Sequence, residues 1–510
     1  MVSRRVVDTG KRGNGEAENR RRAEAGKRGS GETANRRSGE GGKRRTRDVA
    51  PVLRRPVSPF LRAGEKDPRA LALGILERVE TTEAYANVLL DACLRKSGLV
   101  GADRALVTEL TYGVLRWQGK LDWILARVLD RPLMELDCTV RQILRLGAYQ
   151  LCCLTRVPDF AAVDEAVRLA RRTGAGRVAG YVNAVLRSVA RRRGEPEPDP
   201  TTDPIEYWKS VGSHPEWLVQ RWMARLGSEE AGQLMAANNA VPPVTVLVNA
   251  LRVEVEQAGR ILTEAIPDVS PGRWVPGAFS LRGAGGVTDL PGFAEGWLIP
   301  MDEAGVLPVL ALDLSPGQRV LDACAGGGSK SALIAGRVRN AGEVVALDRS
   351  SRAMRRLEAA IGRLGLAMVR PHPGDARAAG KEWPGQFPRV LLDAPCTGLG
   401  TIRRRPEIRW RRRPADLCRA AALQRELLEG VAPAVAKDGL LVYSTCSVEP
   451  EETDEVVVAF LAAHPEFRLD DPRLSMPQAA DLVDGQGFVR AWPHRHGTDG
   501  FFLARLRRVG

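Results

Sequence analysis

Four apolar runs of strand length lie in the second half of this chain, spaced so that a helix fits between them. They are VLDAC (320–324), EVVALD (343–348), RVLLDAP (389–395) and GLLVYSTC (439–446). Neighbouring parallel strands need a crossover of a dozen or more residues, and strands buried on both faces read as near-continuous apolar runs. The pattern therefore predicts a βαβ series with a buried parallel sheet from about Met301 onward, with helices beginning at Ser329 and ending near Leu364.

The turn after the first run, Ala325-Gly326-Gly327-Gly328, leads straight into a helix. Glycines there let a ligand approach the backbone, and the helix start offers free N–H groups. Asp348 ends the next strand and is placed to accept both hydroxyls of a ribose. Asp375, in PGDAR, follows a third strand and could face an adenine. A P-loop is excluded, because Cys324 and Ser329 occupy its two glycine positions although Lys330 and Ser331 fit. A dinucleotide fingerprint lacks its third glycine. An S-adenosylmethionine site, with no pyrophosphate to cradle, tolerates this loop.

The rest of the chain divides by pattern. Of the 510 residues, the leading 55 carry 17 Lys/Arg against 7 Asp/Glu, most of a net charge of +14. That stretch repeats loosely (KRGNGEAENRR, KRGSGETANRR) and has almost no large apolar residues, so residues 1–64 are expected to be a disordered basic arm suited to a polyanion. From 65 to 195, ALALGILERV, NVLLDACLRK, ALVTELTYGVLRW and QILRLGAYQLCCL place apolar residues three and four apart, predicting an all-helical bundle with Asp103 and Asp164 as N-caps. The proline- and acid-rich RRGEPEPDPTTDP marks a linker at 196–212. A helix at 214–227 and a strand at 244–252 predict a small α+β module over 213–300. No apolar run reaches about 18 residues and no apolar leader follows the Arg-rich start, so neither a membrane span nor a signal peptide is expected. The eight cysteines form no CxxC pair and have no histidine at ligand spacing. A reducing cytoplasm and no metal are expected, with His214, His372, His464, His494 and His496 structural or exposed.

Two cysteines stand out. Cys396 (LLDAPCTG) and Cys446 (VYSTCSVEPEE) follow apolar strands at the sheet's carboxyl edge, where open α/β sheets bind ligands, with Asp393 beside them. Cys324 and Cys418 have blander settings. Arg403, Arg404, Arg405, Arg409, Arg411, Arg412 and Arg413, with Trp410, crowd the segment after Cys396. They suit phosphate contacts and stacking, some pairing with Glu407 and Asp416.

The set VLDACAGGGSK, VVALDRSSRAMRRLE, GDAR, VLLDAPCTGLGTIRRRPEIRW, GLLVYSTCSVEPEE and DGFFLARLRR resembles the RNA cytosine-5 methyltransferases of the RsmB/Sun (Fmu) family. The likeness covers about residues 65–510. DRALVTELTYGVLRWQGKLDWIL resembles the family's NusB-type RNA-binding domain. The PC and TC motifs, in that order, are the strongest signal. The resemblance implies a multidomain protein: a NusB-like bundle, a small α+β module and a Rossmann-like methyltransferase domain over 301–510. It implies methyl transfer from S-adenosylmethionine to C5 of a cytosine in 16S ribosomal RNA; separately, a monomer is expected. Cys446 would add to C6, Cys396 would assist release, and Asp393 would hydrogen-bond the cytosine edge. Cys324, Ala325, Gly326, Gly327, Gly328, Ser329 and Lys330 would surround the cofactor's methionine part, Asp348 its ribose, Asp375 its adenine and Asp393 its methyl end. The family loop usually reads C-A-A-P-G-G-K; Gly326, Gly327 and Ser329 depart from it and imply a looser loop. Met301-Asp302 stands where Gln-Asp is usual. Three alternatives stay open: transfer RNA as substrate, a non-catalytic NusB-like RNA-binding factor, and exchanged cysteine roles.

Overall fold

Among the described residues, apolar residues three and four apart build α1 (Pro68–Thr81), α2 (Ala86–Ser97), α3 (Gly101–Arg116), α4 (Gln118–Ala126), α5 (Cys138–Cys153), α6 (Asp159–Arg172) and α7 (Gly176–Arg191). The computed structural model describes residues 65–172 and 176–509; the arm expected at 1–64 lies outside the described residues. Leu73, Ile75, Leu76, Leu110, Leu121 and Ile143 meet in one bundle core. The N-caps differ from expectation. Asp67 caps α1, accepting from the N–H groups of Arg69 and Ala70, and Asp137 caps α5. Asp103 lies in the first turn of α3, where a carboxylate favours the helix dipole. Asp164 lies inside α6 and pairs with Arg168 one turn on, because the buried face of α6 already begins at Ala162. No helix among the described residues is long and apolar enough to cross a membrane.

Three further helices follow: α8 (Pro204–Lys209), within the segment expected as a linker, then α9 (Glu216–Leu226) and α10 (Ser228–Asn239). Next comes a small antiparallel sheet of β1 (Val244–Val248), β2 (Asp268–Pro271), β3 (Ala278–Arg282) and β4 (Leu298–Pro300), in the order β2-β3-β1-β4, with helix α11 (Val255–Ala265). Val246, Leu262, Leu281 and Leu298 share its core.

After α12 (Glu303–Ala311), strands and helices alternate: β5 (Arg319–Asp322), α13 (Ser329–Arg337), β6 (Glu343–Asp348), α14 (Ser351–Leu364), β7 (Val369–Pro373), α15 (Ala379–Glu382), β8 (Phe387–Asp393), α16 (Ile408–Arg411), α17 (Pro414–Val431), β9 (Val435–Thr445) and α18 (Asp454–Ala463). β10 (Phe467–Leu469), β11 (Val489–Ala491), α19 (Pro493–His496) and β12 (Phe501–Arg508) complete the chain. The sheet order is β10-β12-β9-β8-β5-β6-β7, with β11 paired to β12. The sheet is mixed, not wholly parallel as expected. β9, β8, β5, β6 and β7 run parallel, while β12 returns antiparallel along β9, from Phe502 opposite Thr445 to Arg507 opposite Leu440. Along β12, Phe502, Ala504 and Leu506 enter one core and Leu503 the other, so the returning run is buried on both faces. Strand order reverses between β5 and β8. Their carboxyl ends therefore flank the crevice where open α/β sheets take ligands.

The arginine-rich segment after Cys396 is mostly internal, which corrects the expectation of phosphate contacts. Arg403 and Arg404 are ion-paired with Asp302 and Asp499. Arg409 is fully buried and donates to Ser213 O (2.8 Å), Asn239 Oδ1 (2.7 Å) and Asn238 O (3.2 Å). Arg411 donates to the carbonyls of Val79, Thr82 and Ala84, Arg412 to that of Thr397, and Trp410 Nε1 to Leu115 O. Glu407 accepts the Ala86 N–H (2.9 Å), and Asp416 pairs with Arg419. Guanidiniums carry five donors in a fixed fork, so they satisfy clustered carbonyls where domains meet.

Candidate active site

β5 delivers the glycine turn to the switch point. Gly326 (φ 57°) donates its N–H to Asp348 Oδ2 (2.9 Å), and Gly328 (φ 84°) closes a turn onto Ala325 O (2.9 Å) before capping α13. A Cβ at Gly328 would lie 2.4 Å from Leu357 Cδ1, so both conformation and packing require glycine there. The loop expected to be loose is thus pinned from the end of β6.

Behind the turn, the fully buried Asp322 accepts from Ser331 Oγ (2.6 Å), while its Oδ1 has no partner. Burial pushes its carboxyl up to about 6 from an ordinary 3.8. The folded protein therefore holds this proton more tightly than the unfolded chain. The group's contribution is best below pH 4 and worsens as pH rises to about 6, by about 3 kcal/mol at about 1.4 kcal/mol per unit. Urea unfolding of Asp322→Asn and the parent should show the variant gaining about that much between pH 4 and pH 7. Parallel pH profiles would refute the buried-acid account.

The turn, the ends of β6, β7, β8 and β9 and the following loops enclose a cavity of about 330 Å³. Of the residues expected around a cofactor, Cys324, Gly326, Asp348, Asp375 and Asp393 line it. Ala325, Gly327, Gly328, Ser329 and Lys330 are in the same turn and helix start but do not. Ala325 packs into the core, Gly328 backs onto Leu357, and Ser329 faces solvent. Lys330 turns to Asp393, Nζ to Oδ2 at 2.5 Å. Asp348 Oδ1 also accepts the Ser350 N–H (2.8 Å), and Asp375 is engaged by Arg377, whose hydrogen bonds hold its carboxyl below the ordinary range.

Cys396 and Cys446 follow the adjacent strands β8 and β9, which pair Asp393 opposite Ser444. Their Sγ atoms lie 3.1 Å apart, both half-buried. The surroundings differ. A hydrogen bond from Cys396 lowers the Cys446 thiol below its ordinary value, aided by Arg405 and Lys330 against burial and Asp393. The same contact, burial, Glu452 and Asp393 all raise Cys396. Cys324 is pushed up by burial and by the carboxylates of Asp322 and Asp348. Of these three thiols, Cys446 is the one favoured as thiolate. Asp393 accepts from Ser444 Oγ (2.8 Å) as well as Lys330.

Several contacts register the two cysteine loops. Glu452, fully buried, accepts the Thr397 N–H (2.8 Å), Gln424 Nε2 (3.1 Å), Ser447 Oγ (2.6 Å) and Thr397 Oγ1. Thr397 and Ser447 are the residues immediately after the two cysteines. Gly400 N–H donates to Cys446 O (3.0 Å), and a Cβ on Gly400 would fall 2.0 Å from Gly500 O. From α9, Trp222 Nε1 donates to Glu449 Oε1 (2.8 Å) and Arg225 to Val448 O (2.9 Å), fixing the loop beyond Cys446. Glu452 stood within a quoted motif but gave no separate signal. Tyr85, which also lines the cavity, lies in no motif.

Residues 309–507 match the family described as 16S rRNA methyltransferase RsmB/F, residues 66–191 the NusB family, and residues 214–288 the ferredoxin-like domain of RsmF/B-like methyltransferases. A Bacillus subtilis protein named "Probable ribosomal RNA small subunit methyltransferase B" is 37% identical over 448 residues, 87% of this chain and 99% of that relative. The Pseudomonas putida ribosomal RNA small subunit methyltransferase B is 36% identical over 448 residues, 87% of this chain and 99% of the relative. Among solved structures, PH0851 superposes with a TM-score of 0.74 at 28% identity, covering 86% of this chain and 99% of its own.

Proposed function

The chain belongs to the RsmB/F family of 16S rRNA methyltransferases and uses S-adenosylmethionine, and on that premise we propose that it methylates C5 of a cytosine in 16S rRNA through a transient bond between Cys446 and C6. The observation carrying this reading is the asymmetry of the thiol pair, 3.1 Å apart: Arg405 and Lys330 act with the shared hydrogen bond against burial and Asp393 at Cys446, whereas that bond, burial, Glu452 and Asp393 all oppose the thiolate at Cys396.

The cavity fits the cofactor. Gly326 leaves the loop without a side chain, and carboxylates end β6 and stand just after β7, where a ribose and an adenine carry donors. When bound, S-adenosylmethionine supplies a methyl group on a positively charged sulfur that leaves as a neutral thioether. The cytosine must be unpaired or extruded to enter. Asp393, ion-paired with Lys330, accepts from the exocyclic N4.

Cytosine C5 is a poor nucleophile. Addition of the Cys446 thiolate to C6 places an electron pair on the ring that C5 uses to bond the methyl carbon. The base is then a neutral adduct still carrying its C5 proton. Cys396 gives its thiol proton to the Cys446 sulfur as the C6–S bond breaks, and its own sulfur takes the proton from C5. Protons and charge balance, and Cys446 loses its proton to solvent before the next turnover. The N-terminal bundle binds the RNA around the target.

Purified protein with methyl-labelled cofactor and 16S rRNA is expected to place label on C5 of a cytosine, read by bisulfite mapping. Label on transfer RNA alone would reassign the substrate. No label in any RNA would favour a binding factor.

A further inference from the structure

The cavity that holds Cys446 and Cys396 has a wall from another part of the chain. Tyr85, from the turn between α1 and α2 of the N-terminal bundle, lines it together with Arg405. This is not loose apposition. The peptide groups on either side of Tyr85 are both held by the segment after the PC motif. Arg411 donates to Ala84 O (2.7 Å), and Glu407 Oε1 accepts the Ala86 N–H (2.9 Å). Between these two anchors the Tyr85 ring is half-buried, with the Arg405 guanidinium 5.3 Å from its centroid. Its hydroxyl makes no hydrogen bond among the described residues. Of the arginines crowding this segment, Arg405 lines the cavity with a guanidinium that makes no hydrogen bond or ion pair among the described residues.

We propose that Tyr85 is a substrate-positioning residue: its ring is the aromatic surface on which the extruded pyrimidine stacks, so the helical bundle completes the base pocket. Bases stack on aromatic side chains irrespective of their hydrogen-bonding edges, and an adjacent guanidinium adds both cation–π support and a counter-charge for the nucleotide's phosphate. The bundle then does more than hold RNA nearby. A base reaches the Cys446 sulfur only when bundle and sheet are clamped together, which gives a use to Arg409 and Arg411 of α16.

The inference rests on reading the cavity as a base pocket. The test uses full-length protein with a 16S rRNA transcript and S-adenosylmethionine, comparing Tyr85→Leu, Tyr85→Phe and Tyr85→Trp with the parent. Leu keeps apolar packing but removes the aromatic face. KM for RNA is expected to rise about 10- to 100-fold in Tyr85→Leu. Cofactor affinity by calorimetry and Tm should be unchanged, and Phe and Trp should restore KM. Equal RNA kinetics for Leu and Phe, or a parallel loss of cofactor binding and Tm in Leu alone, would overturn the proposal. The two readings fail differently: no label in RNA from the parent removes the base pocket and this inference together, whereas an active parent matched by Tyr85→Leu removes this inference alone.

Discussion

Cys446→Ala is expected to abolish methyl transfer while leaving S-adenosylmethionine binding intact, and Cys396→Ala to accumulate a covalent protein–RNA adduct resistant to denaturing electrophoresis. The first variant removes the attacking sulfur; losing a nucleophile costs on the order of 10⁶-fold in other covalent enzymes. In the second, Cys446 still attacks, but it has lost the neighbour that returns a proton to its sulfur and takes one from C5, so the reaction stalls after methylation. Both sulfurs lie in one cavity 3.1 Å apart, so distance does not separate their roles; charge does. The hydrogen bond between them, with Arg405 and Lys330, favours the thiolate at 446 against burial and Asp393, while the same bond, burial, Glu452 and Asp393 all raise the thiol at 396. Adduct accumulation in Cys446→Ala together with inactivity in Cys396→Ala would exchange the roles.

Glu452→Ala should be nearly as damaging, though the carboxylate touches no reacting atom. It gathers four donors, three of them on the residues that follow the two cysteines. Burial raises its carboxyl, and the hydroxyl and amide donors work against that rise. Removing it orphans the buried Thr397 N–H and leaves a void, a loss of roughly 3–5 kcal/mol of stability. Below the variant's melting range, kcat should still fall by about 10²-fold, the cost of a misplacement near 1 Å. Glu452→Gln separates the two effects. It fills the space but turns one acceptor into a donor facing donors, so it should recover stability more than rate. Urea unfolding and single-turnover transfer on the same samples would check this. Full activity in folded Glu452→Ala would show that the cysteine loops need no such tie.

The readable parts of this protein were those encoded locally. The four apolar runs became β5, β6, β8 and β9, because strands buried on both faces must be apolar throughout. The glycine turn was legible because positive φ at Gly326 and Gly328 admits little else. The bundle helices followed their three-and-four spacing, although two caps were misplaced: an acid near a helix start can equally be a first-turn residue or a surface ion-pair partner. The returning strand β12 was missed as an antiparallel member because nothing in FFLARLRR states which neighbour it will join.

The arginine segment shows the limit most directly. Seven guanidiniums in the segment after Cys396 suggested phosphate contacts, yet Arg403, Arg404, Arg409 and Arg411 serve carboxylates and carbonyls within the protein. A cation's meaning depends on what stands opposite it, and those partners come from residues 79 to 84, 213, 238, 239, 302 and 499. The sequence by itself determined which elements form, in what order, and which side chains stand at the sheet's carboxyl edge, since periodicity and turn chemistry act over a few residues. The tertiary structure alone decided which thiol the surrounding charges favour as thiolate, which arginines are internal, and that a tyrosine more than 300 positions from Cys446 shares its cavity. Electrostatics and burial act through space between chain segments whose meeting no local pattern records.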